Sequence, residues 1–213
     1  MWLLYLCIPV SASTAEIRAL SSAGGCHDPQ GHGIIALINT GIQEEFMSIH
    51  MRLAQPQEAQ TAFCFIDEAR EHQREQGFIQ WADDYPNLNT VLTDIQNGNG
   101  YLLTDSQLPF GYVCIDFGGE AAYDAIEGNW KTCRKYAVIH RMAFGKLKRG
   151  MGISKEVFSL ARKLCLARDI HAIRIDTGLQ NQKMQHILQR EGFQYCGTVY
   201  YSGSPRMAYE LDF

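Results

Sequence analysis

The sequence lacks several features that would each decide its class at once. Its longest apolar run, Trp2 to Val10, is too short for a membrane-spanning helix. It has no Cys-x-x-Cys pair, so neither a zinc ribbon nor a thioredoxin-type redox site is expected, and no metal site is read from it. Its seven cysteines are odd in number and scattered, which excludes a disulfide framework. Four of them lie in apolar runs, as buried thiols of a reducing cytoplasm would. Prolines number only six, and there is no repeat or low-complexity tract, so fibrous and disordered classes fall away. Nor is there an excess of positive charge: the net charge is −4, which argues against a nucleic-acid or anionic-membrane partner.

What is present is a globular composition, 46% apolar and 20% charged, in 213 residues: enough for one domain with a full core plus an extra segment. Ten of the 19 Lys and Arg fall between Lys131 and Lys163, where Glu156 is the single acid. That stretch suits a small polyanion.

Residues 1–46 are read as an upstream segment outside the domain, weakly ordered or non-native. The apolar start followed by Ser11 to Ala15 has the outline of a secretory signal, but no Lys or Arg precedes the run. Gln43-Glu44-Glu45-Phe46-Met47 can be encoded with a purine-rich ribosome-binding sequence before an ATG. The expected biological start is therefore Met47 or Met51, with the domain spanning 47–213.

Within it, Ile49 to Leu53 reads as a strand, and Pro56 suits the first turn of a helix running to about Gln76. Leu88, Val91, Leu92 and Ile95 mark a second helix. Strands follow at 101–104 and 111–117, then a longer one at 136–144. A helix with the stripe Val157, Leu160, Ala161, Leu164 comes next, then a strand at 171–177. Asn181 is a good N-cap for a last helix that Gly192 ends, and strands at 193–200 and 206–213 close the chain.

The segment Arg149-Gly150-Met151-Gly152-Ile153-Ser154 sits between a strand and a helix. Glycines admit a close ligand, and the first amides of a helix have no partner within it. The dipole and Lys146, Lys148, Arg149 and Lys155 add positive charge, so a pyrophosphate fits. Alone, such a turn can equally be a tight connection. Its spacing matches neither a P-loop nor a dinucleotide fingerprint.

Taken with Tyr136 to Phe144 before it, this segment resembles the fourth strand and R-x-x-G-x-G/A loop of GNAT acetyltransferases. Ile173 to Thr177, Asn181-x-x-Met184, Glu191-Gly192-Phe193 and Gly203-x-x-Arg206 to Glu210 are similar to the later half of bacterial members. The resemblance implies an α/β fold with a mixed, mostly antiparallel sheet, splayed parallel strands and about four flanking helices. It implies acetyl-CoA as co-substrate and a small-molecule, amino-acid or peptide amine as acceptor, with a homodimer admitted. Met142, Ala143 and Phe144 would pair with the pantetheine and offer a donor to the oxyanion. Arg149, Gly150, Met151, Gly152, Ile153 and Ser154 would hold the pyrophosphate, with Asn181 touching coenzyme A. His140 is the preferred general base and Asp176 its helper or an amine ligand; Trp81, Tyr85 and Tyr123 would line the acceptor pocket. For each of these a plain packing role is the alternative.

Three departures stand out. Ser154 replaces a small Gly or Ala, Phe144 to Arg149 lacks the usual proline lead-in, and Leu188 stands where many members carry a tyrosine that protonates the departing thiolate. Leu188 motivates a second reading, a coenzyme A-binding module that has lost turnover.

Overall fold

The computed structural model describes residues 48–106 and 108–213, which lie in one compact unit, Phe46–Phe213. The expectations for residues 1–46 and for a start at Met47 lie outside the described residues.

Strand β1 (Ile49–Leu53) leads through a 3-10 turn at Pro56–Glu58 into α1 (Ala59–Glu75), where proline's missing amide costs nothing. Helix α2 (Leu88–Gln96) is capped by Asn87, whose side chain accepts from the Thr90 amide at 3.0 Å. Then come β2 (Gly100–Asp105), β3 (Leu108–Asp116), the short β4 (Glu127–Gly128) and β5 (Ala137–Phe144). Helix α3 (Ser154–Leu166), β6 (Ala172–Gly178), α4 (Gln182–Arg190), β7 (Gln194–Tyr201) and β8 (Ser204–Asp212) complete the order.

The eight strands form one sheet in the order β1-β2-β3-β5-β6-β8-β7-β4. Every pairing is antiparallel except β5 with β6. This is the mixed, mostly antiparallel sheet expected, with four α-helices among the described residues. Alternate residues of the strands feed opposite faces. Leu102, Tyr112, Cys114 and Ala143 pack against Ala62 and Ile66 of α1 and Val91 of α2. Val113, Ile115, Ile139 and Ile173 pack on the other face with Val157 and Phe158 of α3 and Leu188 of α4. A third cluster, Tyr123, Val138, Val199 and Ala208, fills the far half of the sheet.

Beside it a buried network ties down the chain before β5. Glu210 accepts from the Thr132 amide and hydroxyl, and from Arg174 at 3.2 Å. The Arg174 guanidinium in turn lies over the Trp130 and Tyr136 rings. Close approach demands glycine at one point: a Cβ on Gly197 would stand 2.2 Å from the Glu127 carbonyl oxygen, so only glycine lets β4 pair there.

Candidate active site

The site originates in β5, where two irregularities coincide. The parallel pairing with β6 lasts only from Ala137–Ile173 to Val138–Arg174, after which the strands diverge and one edge of β5 is left open. On the other edge, Tyr112 pairs with Ala143 but Cys114 pairs with His140, so two residues of β5 oppose one of β3. This is a β-bulge, and Arg141 within it has a φ of 49°. Such a backbone is strained for a residue with a Cβ and persists only where the surroundings fix it. The fixing group is Asp94 of α2. Its carboxylate accepts from Arg141 Nε at 2.8 Å and Nη2 at 2.6 Å, and from the Tyr112 hydroxyl at 2.9 Å. Arg141 Nη1 also donates to the Tyr85 hydroxyl at 3.0 Å.

Two adjoining clefts open where the sheet splits. They share Ala69, Gln73, Met142, Asn181 and Met184. One, of about 370 Å³, runs along Met142 to Phe144 to the loop before α3. There Gly150 and Gly152 both take positive φ, 81° and 75°. Among the described residues, the successive amides of Gly150, Met151, Gly152, Ile153 and Ser154 donate to no protein acceptor. Free amides on alternating backbone at a helix N-terminus form an anion-binding concavity. Lys148, Arg149, Lys183 and Arg190 line this cleft and no described carboxylate does. The Arg149 side chain clasps the loop: Nε donates to the Phe144 carbonyl at 2.9 Å and Nη2 reaches Glu68 at 3.3 Å.

The other cleft, of about 360 Å³, is lined by carboxylates as well as arginines. Trp81 and Tyr85 from the α1–α2 connection form part of its wall, with Glu120, His140, Asp176, Tyr201 and Arg206. The connection is fastened across it by Gln80, whose Oε1 accepts from Thr177 Oγ1, the Gly178 amide and Asn181 Nδ2 at 3.1–3.2 Å. Asp176 Oδ1 accepts from the Tyr123 hydroxyl at 2.9 Å and the Tyr201 hydroxyl at 3.2 Å, while Arg206 stands 4.0 Å from Oδ2. Burial raises the Asp176 pKa above the usual carboxylate range, against the two tyrosine donors and Arg206, which lower it.

The His140 ring hydrogen-bonds to no described residue, and Glu120 Oε2 lies 3.7 Å from its Nε2. A carboxylate there favours the imidazolium. Burial of the ring opposes it, as does the Arg141 guanidinium, and together they hold His140 down to about 3. The ring is therefore neutral at physiological pH. An unfolded histidine titrates near ~6.5, so between these values the unfolded chain binds more protons than the folded one. Stability then rises with pH across that window and is lost as pH falls through it. Urea denaturation between pH 4 and 6 should show a His140 contribution approaching ~1.4 kcal/mol per pH unit, and His140→Gln should flatten it.

The fold has known counterparts. A family model described as the acetyltransferase (GNAT) family matches residues 55–193. The chain belongs to the GNAT acetyltransferase family. An acetyltransferase of this family from Streptococcus agalactiae has 34% identity and a TM-score of 0.70, covering 78% of this chain and 95% of that one. A GNAT acetyltransferase from Listeria monocytogenes, at 20% identity and a TM-score of 0.63, shares the fold over 78% of this chain and 95% of its own. So does the aminoglycoside acetyltransferase AAC(6')-Ib, solved with coenzyme A and kanamycin, at 18% identity, a TM-score of 0.57 and coverage of 78% and 95%. No curated protein matches the sequence.

In this GNAT domain Met142, Ala143, Phe144, Arg149, Gly150, Gly152, Ile153, Ser154 and Asn181 all line the cationic cleft. Met151 is exposed on the loop beside it. His140, Asp176, Trp81 and Tyr85 line the other cleft. Tyr123 does not: it is buried behind Asp176, and its contribution is the hydroxyl it donates. Leu188 is wholly buried in the core and brings nothing polar to either cleft. Of the ten cations read from 131–163, four are in ion pairs: Arg134–Asp212, Arg141–Asp94, Lys148–Asp105 and Arg149–Glu68. Sequence reasoning missed Lys183, Arg190, Gln80, Asp94 and Glu120. Of these only the two cations on α4 carried a signal, their spacing on the helix that Asn181 caps.

No described helix is long and apolar enough to cross a membrane, and no described group of three or more His, Cys, Asp or Glu is placed to hold a metal ion.

Proposed function

We propose that residues 47–213 form an acetyl-CoA-dependent N-acetyltransferase that acts on a primary amine of a small molecule, amino acid or peptide by direct attack. The observation that carries this reading is the run of free amides from Gly150 to Ser154 at one end of the split strand, with a carboxylate-bearing cleft at the other. A pyrophosphate needs the first and an ammonium group needs the second. Acetyl-CoA supplies an activated acyl carbon, which the amine attacks as the C–S bond breaks.

The chain's own residues then have separable tasks. The amides of Gly150 to Ser154, with Lys148, Lys183 and Arg190, neutralise phosphates. The open edge of β5 at Met142 to Phe144 offers backbone groups to the pantetheine and a donor to the developing oxyanion. Asn181 borders both clefts. Asp176, braced by Tyr123 and Tyr201, and neutral His140 shape the proton-accepting wall, and Trp81 and Tyr85 bound the acceptor. A cytoplasmic site of action agrees with the buried free thiols Cys114, Cys165 and Cys196.

Leu188 supports one competing reading, a coenzyme A-binding module of weak turnover, because the usual tyrosine acid is replaced by a core residue. Mass spectrometry of an amine panel incubated with the chain and acetyl-CoA separates the two. One amine gaining an acetyl group establishes transfer. Saturable coenzyme A binding without any acetylated amine favours the module, and no binding refutes both.

A further inference from the structure

The sheet's own hydrogen bonds hardly fix the separation of its two halves. β5 and β6 pair only through Ala137–Ile173 and Val138–Arg174, and beyond Val138 the strands part. Helices α1 and α2 pack on the half that holds β2, β3 and β5, so the connection between them, residues 76–87, belongs to that half. From it Gln80 reaches across. Its Oε1 accepts from Thr177 Oγ1 at 3.2 Å and the Gly178 amide at 3.1 Å, both at the end of β6, and from Asn181 Nδ2 at 3.1 Å, at the N-cap of α4. Its backbone carbonyl accepts from Arg206 of β8 at 3.3 Å. On the near side Gln73 of α1 holds the same residue, its Oε1 accepting from the Gln80 and Trp81 amides at 3.3 and 3.2 Å.

Three donors converge on one amide oxygen, more than its two lone pairs serve singly. Space is kept for it: a Cβ on Gly178 would stand 3.2 Å from Gln80 Oε1, closer than ordinary van der Waals contact. Gln80 Nε2 has no partner among the described residues, so the oxygen carries the side chain's whole tie. What this oxygen aligns comes from both clefts. Thr177 and Gly178 directly follow Asp176, Asn181 borders both clefts, and Trp81, next to Gln80, stands in the acceptor wall. With Nδ2 on Gln80, Asn181 presents Oδ1 to the Met184 amide at 3.1 Å, which fixes the way its amide faces.

We infer that Gln80 is a positioning residue: its side-chain carbonyl bolts the two halves of the split at the separation at which an acceptor in one cleft meets a thioester lying in the other. The inference rests on the acetyl-transfer reading. Gln80 acts through Thr177, Asn181 and Trp81 and exchanges no proton or bond with the reactants. A misplacement of the reacting atoms by about 1 Å costs about 100-fold in rate without weakening the binding of either ligand in proportion. The tie therefore shows in kcat and not in coenzyme affinity, because among the described residues the amides of Gly150 to Ser154 bond nothing in the connection.

The test compares the full chain with three variants. Gln80→Met removes the acceptor at nearly constant length, Gln80→Glu keeps an oxygen in its place, and Gly178→Ala crowds that oxygen while leaving every donor. Gln80→Met is expected to lower kcat for an accepted amine at least about 30-fold, with coenzyme A affinity within about threefold. Gln80→Glu should regain most of kcat, and Gly178→Ala should fall between. Hydrogen exchange is read alongside: the Gly178 amide should be protected in the wild-type chain and exchange at least about tenfold faster in Gln80→Met, while the β2 and β3 amides keep their protection. An unchanged kcat in Gln80→Met overturns the inference, and so does a loss that Gln80→Glu does not recover. Protection lost throughout the sheet in Gln80→Met would mark a fold defect; Gly178→Ala then decides, a lowered kcat with the sheet protected supporting the inference and an unchanged kcat overturning it. If the wild-type chain acetylates no amine, the transfer reading falls by itself, and exchange at Gly178 still decides the tie: release by Gln80→Met keeps it, and an unprotected amide in the wild-type chain overturns it.

Discussion

Replacing Asp94 by asparagine is expected to lower the unfolding free energy by about 3–5 kcal/mol, the largest single-site stability effect in the domain. The change preserves side-chain volume, so no cavity confuses the result. What it removes is the charge that compensates Arg141, whose side chain is 11% exposed against 10% for Asp94. The guanidinium would be left buried beside Cys114 and Tyr112, and the φ of 49° at Arg141 would lose the contact that holds it. The midpoint in urea reads the loss directly. A combined Asp94→Leu, Arg141→Met, Tyr112→Phe change should recover part of it, because matched apolar groups leave neither an orphan charge nor the Tyr112 hydroxyl without its acceptor. The function should not recover, since the bulge shapes β5 where both clefts meet.

The second large effect concerns the anion loop. Arg149→Glu with Gly152→Asp is expected to weaken coenzyme A binding by at least about 100-fold. Two carboxylates would stand at the free amides, and the one introduced in place of Arg149 would repel Glu68, which the native guanidinium pairs with. The single change Gly152→Ala separates conformation from charge. A Cβ there meets nothing within 4 Å, so its cost is the positive φ alone, about 1 kcal/mol. Calorimetric titration with coenzyme A at two salt concentrations checks both. The double variant should lose affinity at either concentration, and the alanine variant should stay close to the wild-type chain.

How far the sequence anticipates this structure depends on the range over which each feature is decided. Helix α3 and its loop are written locally: Val157, Leu160, Ala161 and Leu164 fall at helical spacing, two glycines precede them, and Val157 and Ala161 are fully buried. The same holds for Asn181, whose side chain caps α4 by accepting from the Met184 amide at 3.1 Å. The strand ends shift by one to three residues, most at β3, which starts at Leu108 rather than Gly111. The bulge in β5 has no local signal, since Arg141 is an ordinary residue made to adopt positive φ by Asp94, 47 positions earlier.

Glu120 is similar. It lies in an aperiodic connection after β3 and reaches His140 only once the sheet has formed. Tyr123 shows the limit of reading side-chain type alone. An aromatic residue suits a pocket wall as well as a core, and only the fold turns its ring inward, leaving the hydroxyl on Asp176. The tyrosine-to-leucine departure is visible at Leu188, but not that the position is buried in the core.

The most direct test of the account is thiol release from acetyl-CoA by the full chain across a panel of primary amines, with the Arg149→Glu, Gly152→Asp variant alongside. Acetyl transfer predicts that at least one amine accelerates release, that each thiol is matched by one acetylated amine, and that the variant is silent at the same coenzyme concentration. Release that no amine accelerates, or that the variant retains in full, would contradict it.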